Sequence, residues 1–471
     1  MAPASDEADP SDAFLAPVPQ GQIMKRITFV FWLIFGSVSA AWIVVETSVF
    51  HTTAFIPMRN FMVQYSGLLG MAAMSIAMIL ALQLKSLEPP LGGLDKMYRL
   101  HKWLGTSAVI LCVTHWFWSN SPKWAATLGL LERGPRPPRT PPSGPIEQLF
   151  ISYRGTAEMV GEWTFYAVVL LIIVALVKLI PYRLFFKTHR LLAVCYLALV
   201  FHTVILAKFS YWLSPVGLLL VPLLLAGSYG AVIVLFRRIG IGRKATATIA
   251  SIQYYSGVRA LEIAVENVVG WLGHKPGQFA FVTSDTAEGA HPYTIASAWN
   301  AQESRISFIV KELGDHTSLL REKLYTGQEV VIEGPYGCFL FEDNRPIQIW
   351  IGGGIGITPF VARMKYLASL DPSLRQSPVI HLFHATAQTD IEAMARLDAD
   401  AKAAGVRLYI YVDGRDGFLT GEKIRTAVPA WRDASFWFCG PSGLGRALRR
   451  DLSKAGLAVK QEFNQELFEM R

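Results

Sequence analysis

The sequence predicts a multidomain membrane protein: a six-helix transmembrane bundle, then a small antiparallel β-barrel, then a Rossmann-like parallel α/β domain. Three patterns carry this expectation. Five long runs in the first half lack any charged residue, residues 245–343 alternate short strands with turns, and from 346 strands alternate with helices. The chain has 471 residues, a formal charge of +8, 52% hydrophobic residues and 17% charged ones, against about 25% charged in an ordinary soluble domain. That excludes a disordered chain, a collagen-like one and a small disulfide scaffold. Cys112, Cys195, Cys338 and Cys439 are scattered with no CxxC spacing, so neither a zinc site nor a disulfide framework is indicated.

Residues 1–23 are polar, acidic and proline-containing, which predicts a disordered N-terminal tail. The membrane domain is expected over 24–240. Its uncharged runs are 27–45, 61–84, 103–122, 191–207 and 211–236; a weaker one, 163–180, is interrupted only by Lys178. A hydrocarbon layer of about 30 Å needs roughly 20 apolar helical residues, so six spans are predicted. Five uncharged runs in one half are too many for buried helices of a soluble core. The first is also too long for a signal-peptide core and lacks a cleavage site, so it reads as a retained helix.

Basic residues set the expected orientation. Lys25 and Arg26 precede the first span; Lys85, Lys96, Arg99 and Lys102 lie between the second and third. Lys178, Arg183, Lys187 and Arg190 lie between the fourth and fifth, and Arg237, Arg238, Arg243 and Lys244 follow the sixth. These sets share one side, which predicts a multi-pass inner (plasma) membrane protein with both termini cytoplasmic. Loop 123–157, proline-rich and also basic, argues the other way but is outvoted. The positive charge is thereby largely accounted for by membrane flanks, and no nucleic-acid partner is expected.

Ionisable residues inside spans are expensive and mark function. His101 and His115 fall on the third helix, 14 residues apart; His189 and His202 fall on the fifth, 13 apart. At 1.5 Å per residue the separations are about 21 and about 20 Å. Both helices run in the same direction, so His101 is level with His189 and His115 with His202. Each pair can hold one haem by two axial imidazoles, giving two stacked b-type haems. A spacing of 14 returns nearly to the same helix face, whereas 13 misses, so the fifth helix has to be tilted or locally irregular. Ligands this far apart on one helix cannot share a single ion. The basic residues at the inner level serve as haem-propionate partners or simply as topology determinants.

The barrel is expected over 245–343. His291-Pro292-Tyr293-Thr294 ends one of its strands. A flavin needs a flat wall, a hydrogen bond near its reactive N5 and donors for its diphosphate; Tyr293 and Thr294 suit the first two. Gly314-Asp315-His316-Thr317 opens a helical stretch whose start offers unpaired N–H groups to a diphosphate. The α/β domain is expected over 346–471. Gly352-Gly353-Gly354-Ile355-Gly356 links a strand to a helix beginning at Thr358-Pro359, the context of a dinucleotide loop. Cys439-Gly440-Pro441 closes a later strand, where the thiol either lies near a nicotinamide or is a buried packing group.

With these residues in view, the chain over about 25–471 resembles the NADPH oxidase and ferric reductase superfamily, particularly its bacterial members. The membrane half matches in its histidine pairs and in LDKMYRLHKWLG. The soluble half is similar to ferredoxin–NADP reductase in HPYT, EGPYG (333–337, with Gly334), GGGIGITPF (352–360), CGP (439–441) and the C-terminal Glu466 and Phe468. The resemblance implies FAD at His291, Pro292, Tyr293, Thr294, Gly314 and Thr317. It implies NADPH at Gly352, Gly354, Gly356 and Thr358, with Gly440 and Pro441 nearby. A C-terminal aromatic, Phe468 with Phe463 as rival, is expected to stack on the flavin and yield to the nicotinamide. Ala387 stands where an arginine facing the NADPH 2′-phosphate is expected, so NADH is possible and Arg415 is the compensating candidate. Ser119 stands where a histidine near the outer haem is expected; Arg59 and Gln64 are the nearest polar residues, and Arg59 equally suits an interfacial anchor.

The activity so implied is a superoxide-generating NAD(P)H oxidase carrying electrons outward through FAD and two haems to O2. The alternative is a ferric-chelate reductase on the same path. A membrane cytochrome that passes electrons to a protein partner is a third reading, disfavoured by the fused dehydrogenase. No obligate protein partner and no calcium loop are expected, and activity is expected to be constitutive.

Overall fold

The computed structural model describes residues 20–131, 141–142, 144–177, 182–371 and 378–466. Helices in the first half are α1 (Gln20–Val45), α2 (Phe55–Leu80), α3 (Glu88–Leu91), α4 (Leu94–Thr127), α5 (Pro145–Leu176), α6 (Tyr182–Arg190), α7 (Leu192–Leu206) and α8 (Pro215–Leu235). The chain divides into two compact units: Ile27–Lys85 with Met97–Ile239, and Ser86–Lys96 with Gly240–Arg471. Residues 1–19 of the expected tail lie outside the described residues.

Among the described residues five stretches are long and apolar enough to cross a membrane: Arg26–Val45, Phe55–Leu80, Pro145–Leu176, Lys187–Leu206 and Pro215–Leu235. The third expected span, α4, has 34 residues but is less apolar, because it carries Lys96, Arg99, Lys102 and Lys123 beside its histidines. The fourth helix starts at Pro145, far earlier than 163. The expected loop 123–157 therefore shrinks, since α4 runs to Thr127 and α5 takes over from Pro145. The fifth helix is two pieces. Leu191 N–H bonds the carbonyl of Thr188 at 3.0 Å, an i→i−3 turn between α6 and α7. This tighter turn sits between His189 and His202, where the 13-residue spacing requires an irregularity.

In the second unit, β1 (Lys244–Tyr255), β2 (Ala260–Val269), β3 (Phe279–Thr283), β4 (His291–Thr294), β5 (Ile306–Lys311) and β6 (Glu329–Tyr336) form one antiparallel sheet in the order β4-β3-β6-β1-β2-β5. The start of β1 alternates as a half-buried strand should: Ala245, Ala247 and Ile249 point inward, with Lys244 and Thr246 exposed. A bridge between Ile295 and Phe308 draws the outer strands together, so the sheet curls into a half-barrel. Helix α9 (Asp315–Lys323) follows β5.

The rest is a parallel sheet in the order β11-β10-β7-β8-β9, built from β7 (Ile347–Gly353), β8 (Val379–Thr386), β9 (Arg407–Val412), β10 (Ala434–Cys439) and β11 (Phe463–Gln465). Helices α10 (Thr358–Ser369), α11 (Ile391–Ala404), α12 (Asp413–Asp416), α13 (Gly421–Ala427), α14 (Ser442–Lys454) and α15 (Val459–Glu462) connect them. All six residues of β10 are buried, as a strand covered on both faces demands. Phe463 is 1% exposed and stacks on Phe436 and Phe438. It is a core residue of this sheet and no longer a rival for a flavin-stacking position.

Candidate functional site

The first unit brings the four histidines together as two pairs. The rings of His101 and His189 have centroids 6.1 Å apart, and so do those of His115 and His202. An imidazole nitrogen binds a metal at about 2 Å, so with the ring centre roughly 1 Å behind it, two imidazoles on opposite sides of one metal stand about 6 Å apart.

The hydrogen bonds favour the same use. His101 Nδ1 meets the Ala77 carbonyl at 3.0 Å, His115 Nδ1 that of Val63 at 2.9 Å and His202 Nδ1 that of Ala157 at 2.8 Å. A carbonyl only accepts, so each Nδ1 carries the proton and each Nε2 keeps its lone pair for a metal. His189 differs: among the described residues its buried Nδ1 has no hydrogen-bond partner, and its ring stacks on Phe185 at 5.1 Å. Two glycines leave room for the outer pair. A Cβ on Gly67 would stand 3.2 Å from the His115 ring, and one on Gly161 would overlap His202 Nδ1. Sequence reasoning missed both glycines and all three carbonyls, because they become partners only when helices pack. The residues present thus fit two bis-histidine haems.

Arg59 is occupied structurally. Its Nε donates to the Trp118 carbonyl at 3.1 Å and its Nη2 to that of Ser119 at 2.9 Å. Pro122 has no N–H to offer the carbonyl four residues earlier, which is that of Trp118. The guanidinium replaces the missing donor. Gln64 is likewise engaged, donating to the Leu206 carbonyl at 3.1 Å.

In the half-barrel, His291-Pro292-Tyr293-Thr294 is the whole of β4 and remains partly open. The His291 and His316 rings stack at 3.6 Å with a 6° interplanar angle, and His316 Nε2 lies 3.1 Å from the Tyr293 hydroxyl. Burial, then the neighbouring His316 ring, pushes His291 down to about 4, so it is neutral near pH 7. Glu288, His291 and His316 offer ligand atoms within 4.8 Å of one another. However, the stacked rings direct their lone pairs along two parallel planes that do not converge on one ion. The arrangement suits hydrogen bonding to a bound cofactor better than a metal.

Gly314 caps α9 and Thr317 closes the turn, its Oγ1 accepting from the Leu313 and Gly314 N–H groups at 2.9 and 3.1 Å. The Thr317 hydroxyl is therefore spent on shaping the helix start. Gly334 packs tightly, since a Cβ there would stand 3.3 Å from both the Phe279 carbonyl and Trp271. The flavin wall expected from the C-terminus cannot be placed, because Phe468 lies outside the described residues.

The glycine loop separates into close-packed and open members. A Cβ on Gly352 would stand 2.9 Å from Ile357, and one on Gly356 would overlap the Cys439 carbonyl oxygen and lie 2.8 Å from Gly440 N. Gly354, with φ +55, faces open space. Thr358 is 1% exposed and donates to the Ile355 carbonyl at 2.8 Å, so it starts α10 rather than offering a free hydroxyl. Cys439 is fully buried, and burial holds its thiol well above the usual range. Pro441 caps α14 beside Gly440.

A cleft beside this loop is lined by Gly354, Ile355, Thr386, Lys311, Lys365 and Arg396. Arg415, by contrast, is exposed and paired with Asp416 at 2.9 Å. Lys365 and Arg396 pair with Glu262 of the same cleft at 3.7 and 2.8 Å, so Lys311 on β5 is the lining cation best suited to a dinucleotide, a position that sequence spacing did not reveal.

Residues 66–200 match the family model described as a ferric reductase like transmembrane component, and residues 245–339 match that of an FAD-binding domain. Over 200 residues the chain is 30% identical to a flavohemoprotein of Burkholderia sp. (strain TH2), covering 40% of this chain and 49% of that protein. It is 25% identical over 210 residues to the anthranilate 1,2-dioxygenase electron transfer component of Acinetobacter baylyi, covering 42% and 59%. The chain thus spans about half the length of the curated relatives it matches. The flavohem-like FAD/NAD binding domain of nitric oxide dioxygenase from Vibrio cholerae is similar at 20% identity and a TM-score of 0.41, over 48% of this chain and 98% of that one. A ferric-reductase-like transmembrane component over 66–200 is thus joined in one multi-pass membrane chain to an FAD-binding domain over 245–339, the pairing that its resemblance to the ferric reductase and NADPH oxidase superfamily implies.

Proposed function

We propose that the protein moves electrons from cytoplasmic NADPH, or NADH, across the membrane to O2 at the outer face, releasing superoxide. The carrying observation is the pair of 6.1 Å imidazole clamps, one on each side of the α6–α7 break. When bound, FAD would link two-electron hydride chemistry to one-electron transfer, and haems held by the two histidine pairs would relay single electrons.

The chain's own residues supply the rest. His101 with His189, and His115 with His202, fix the two iron positions. The Nδ1 bonds of His101, His115 and His202 lock the tautomer that ligates. Tyr293, Thr294 and His291 on β4 hold the flavin, and the Gly352–Gly356 loop with Lys311 holds the dinucleotide. Helix α4 is the sixth span on this reading, and both termini are cytoplasmic. A negative-inside potential then favours outward transfer by about 2.3 kcal/mol per charge per 100 mV.

The match to a ferric reductase like component favours a second reading, a ferric chelate as acceptor. One assay decides. With purified protein and NADPH, cytochrome c reduction that superoxide dismutase abolishes is the expected result. Dismutase-insensitive reduction together with faster turnover on ferric chelates would replace the oxidase reading with the reductase one. Absence of NAD(P)H consumption would overturn both.

A further inference from the structure

Glu466 is an anomalous carboxyl. It follows β11, where its N–H bonds the Phe438 carbonyl at 3.3 Å. Its residue is 4% exposed, and Oε2 is buried with no hydrogen-bond partner among the described residues. An unsatisfied buried carboxylate is costly, so something must set its charge. Cys439 on β10 and Cys338, just after β6, are held neutral chiefly by burial and, less, by the Glu466 charge.

The remaining neighbours come from the segment Ser86–Lys96, which belongs to the same compact unit. Asp95 and Lys96, in the first turn of α4, are both buried and paired at 2.8 Å. Lys96 Nζ also lies 3.5 Å from the Gln465 carbonyl. Gly93, with φ +112, permits the approach: a Cβ there would stand 2.8 Å from Asp95 Oδ1 and 3.5 Å from Cys338 N. Behind them Glu88 accepts from the Gly337 N–H at 2.6 Å and pairs with Arg243 at 3.7 Å.

We propose that the Asp95–Lys96 pair is a positioning element that sets the protonation of Glu466 at the end of the β10–β11 edge, beside Cys439 and Gly440. Burial first, then Asp95, pushes the Glu466 carboxyl up to about 8, while Lys96 pulls the other way. Near neutrality Glu466 is thus a neutral hydrogen-bond donor in a site that gains negative charge when a flavin is reduced. Asp95 and Lys96 tune it from a segment that the sequence places between two spans. This inference rests on the proposed NAD(P)H-to-FAD reaction for its functional consequence.

The test is an infrared pH titration of the purified holoenzyme, following the carboxylic C=O band that Glu466→Gln removes. The band is expected to titrate near 8 in the natural protein. Lys96→Met moves the midpoint up and Asp95→Asn moves it down, each by roughly one unit as for a single nearby charge, and Lys96→Arg restores it. Flavin reduction by NADPH, which falls as the carboxyl ionises, shifts along the pH axis in the same two directions. Midpoints that do not move, or that move the same way in both variants, would overturn the inference. Absence of NADPH-driven flavin bleaching in the natural protein would instead sink the proposed function, and the infrared band would still decide the present point.

Discussion

Gly161→Ala is expected to remove one of the two haems proposed for this protein. The purified natural protein is expected to carry two haems per chain, and the variant one. Gly161 lies on α5, and a Cβ there would overlap Nδ1 of His202, the atom that bonds the Ala157 carbonyl one turn earlier on the same helix. The ring must move, and with it the axis along which Nε2 points. Loss of a partner that orients a metal-bound histidine typically costs 10–100-fold in affinity, and the alanine adds a steric clash to that loss. His202→Leu is expected to give the same stoichiometry by removing the ligand itself. In both variants FAD content is unchanged and outward electron transfer falls to background. Gly155→Ala is the control, since a Cβ at that position of α5 meets nothing within 4 Å. Haem determination on the three variants checks the argument; a full complement of two in Gly161→Ala would refute it.

Gly356→Ala is expected to slow NADPH-dependent flavin reduction by about 10- to 100-fold, from an overpacking cost of about 1–3 kcal/mol. The added Cβ would meet only backbone: the Cys439 carbonyl and Gly440 N at 2.8 Å. Backbone cannot rotate out of the way as a side chain can, so the glycine loop and the β10 end must separate. Haem and FAD contents stay at their natural values, because neither site lies on these strands. Gly443→Ala, with nothing within 4 Å of its Cβ, leaves the rate unchanged. Stopped-flow flavin bleaching with NADPH reads the difference; equal rates in the two variants would remove Gly356 from the nucleotide site.

Much of this protein is legible in its sequence, because membrane burial and sheet architecture leave periodic marks. Uncharged runs mark spans whatever packs against them. Strand–glycine–helix order marks a dinucleotide loop before any contact is known. The spacings of 14 and 13 also imply level histidine pairs and a fifth helix that is tilted or irregular, and the turn at Leu191 supplies the irregularity. The same logic misjudged α4 and α5 at their edges. Lys96, Arg99 and Lys102 are helical residues all the same, since a helix does not stop where its apolar run does.

Other features depend on which atoms meet across the fold. Composition gave no reason to single out Gly161 from Gly155, because the difference is a histidine ring 41 positions away in the chain. Arg59 gained its role from the donor that Pro122 lacks, and Phe463 lost a role to the stacking of β10 and β11. Glu466 owes its character to two charges more than 360 positions earlier in the chain. Hydrophobic period and glycine punctuation are local, so the residues alone pointed to the apolar spans, an antiparallel strand domain, the glycine loop and the level of each histidine pair, whereas the half-barrel closure and the true ends of α4 and α5 came from the fold. Hydrogen-bond partners, steric room and the charge of a buried carboxyl are sums over neighbours, and only the packed chain decided them.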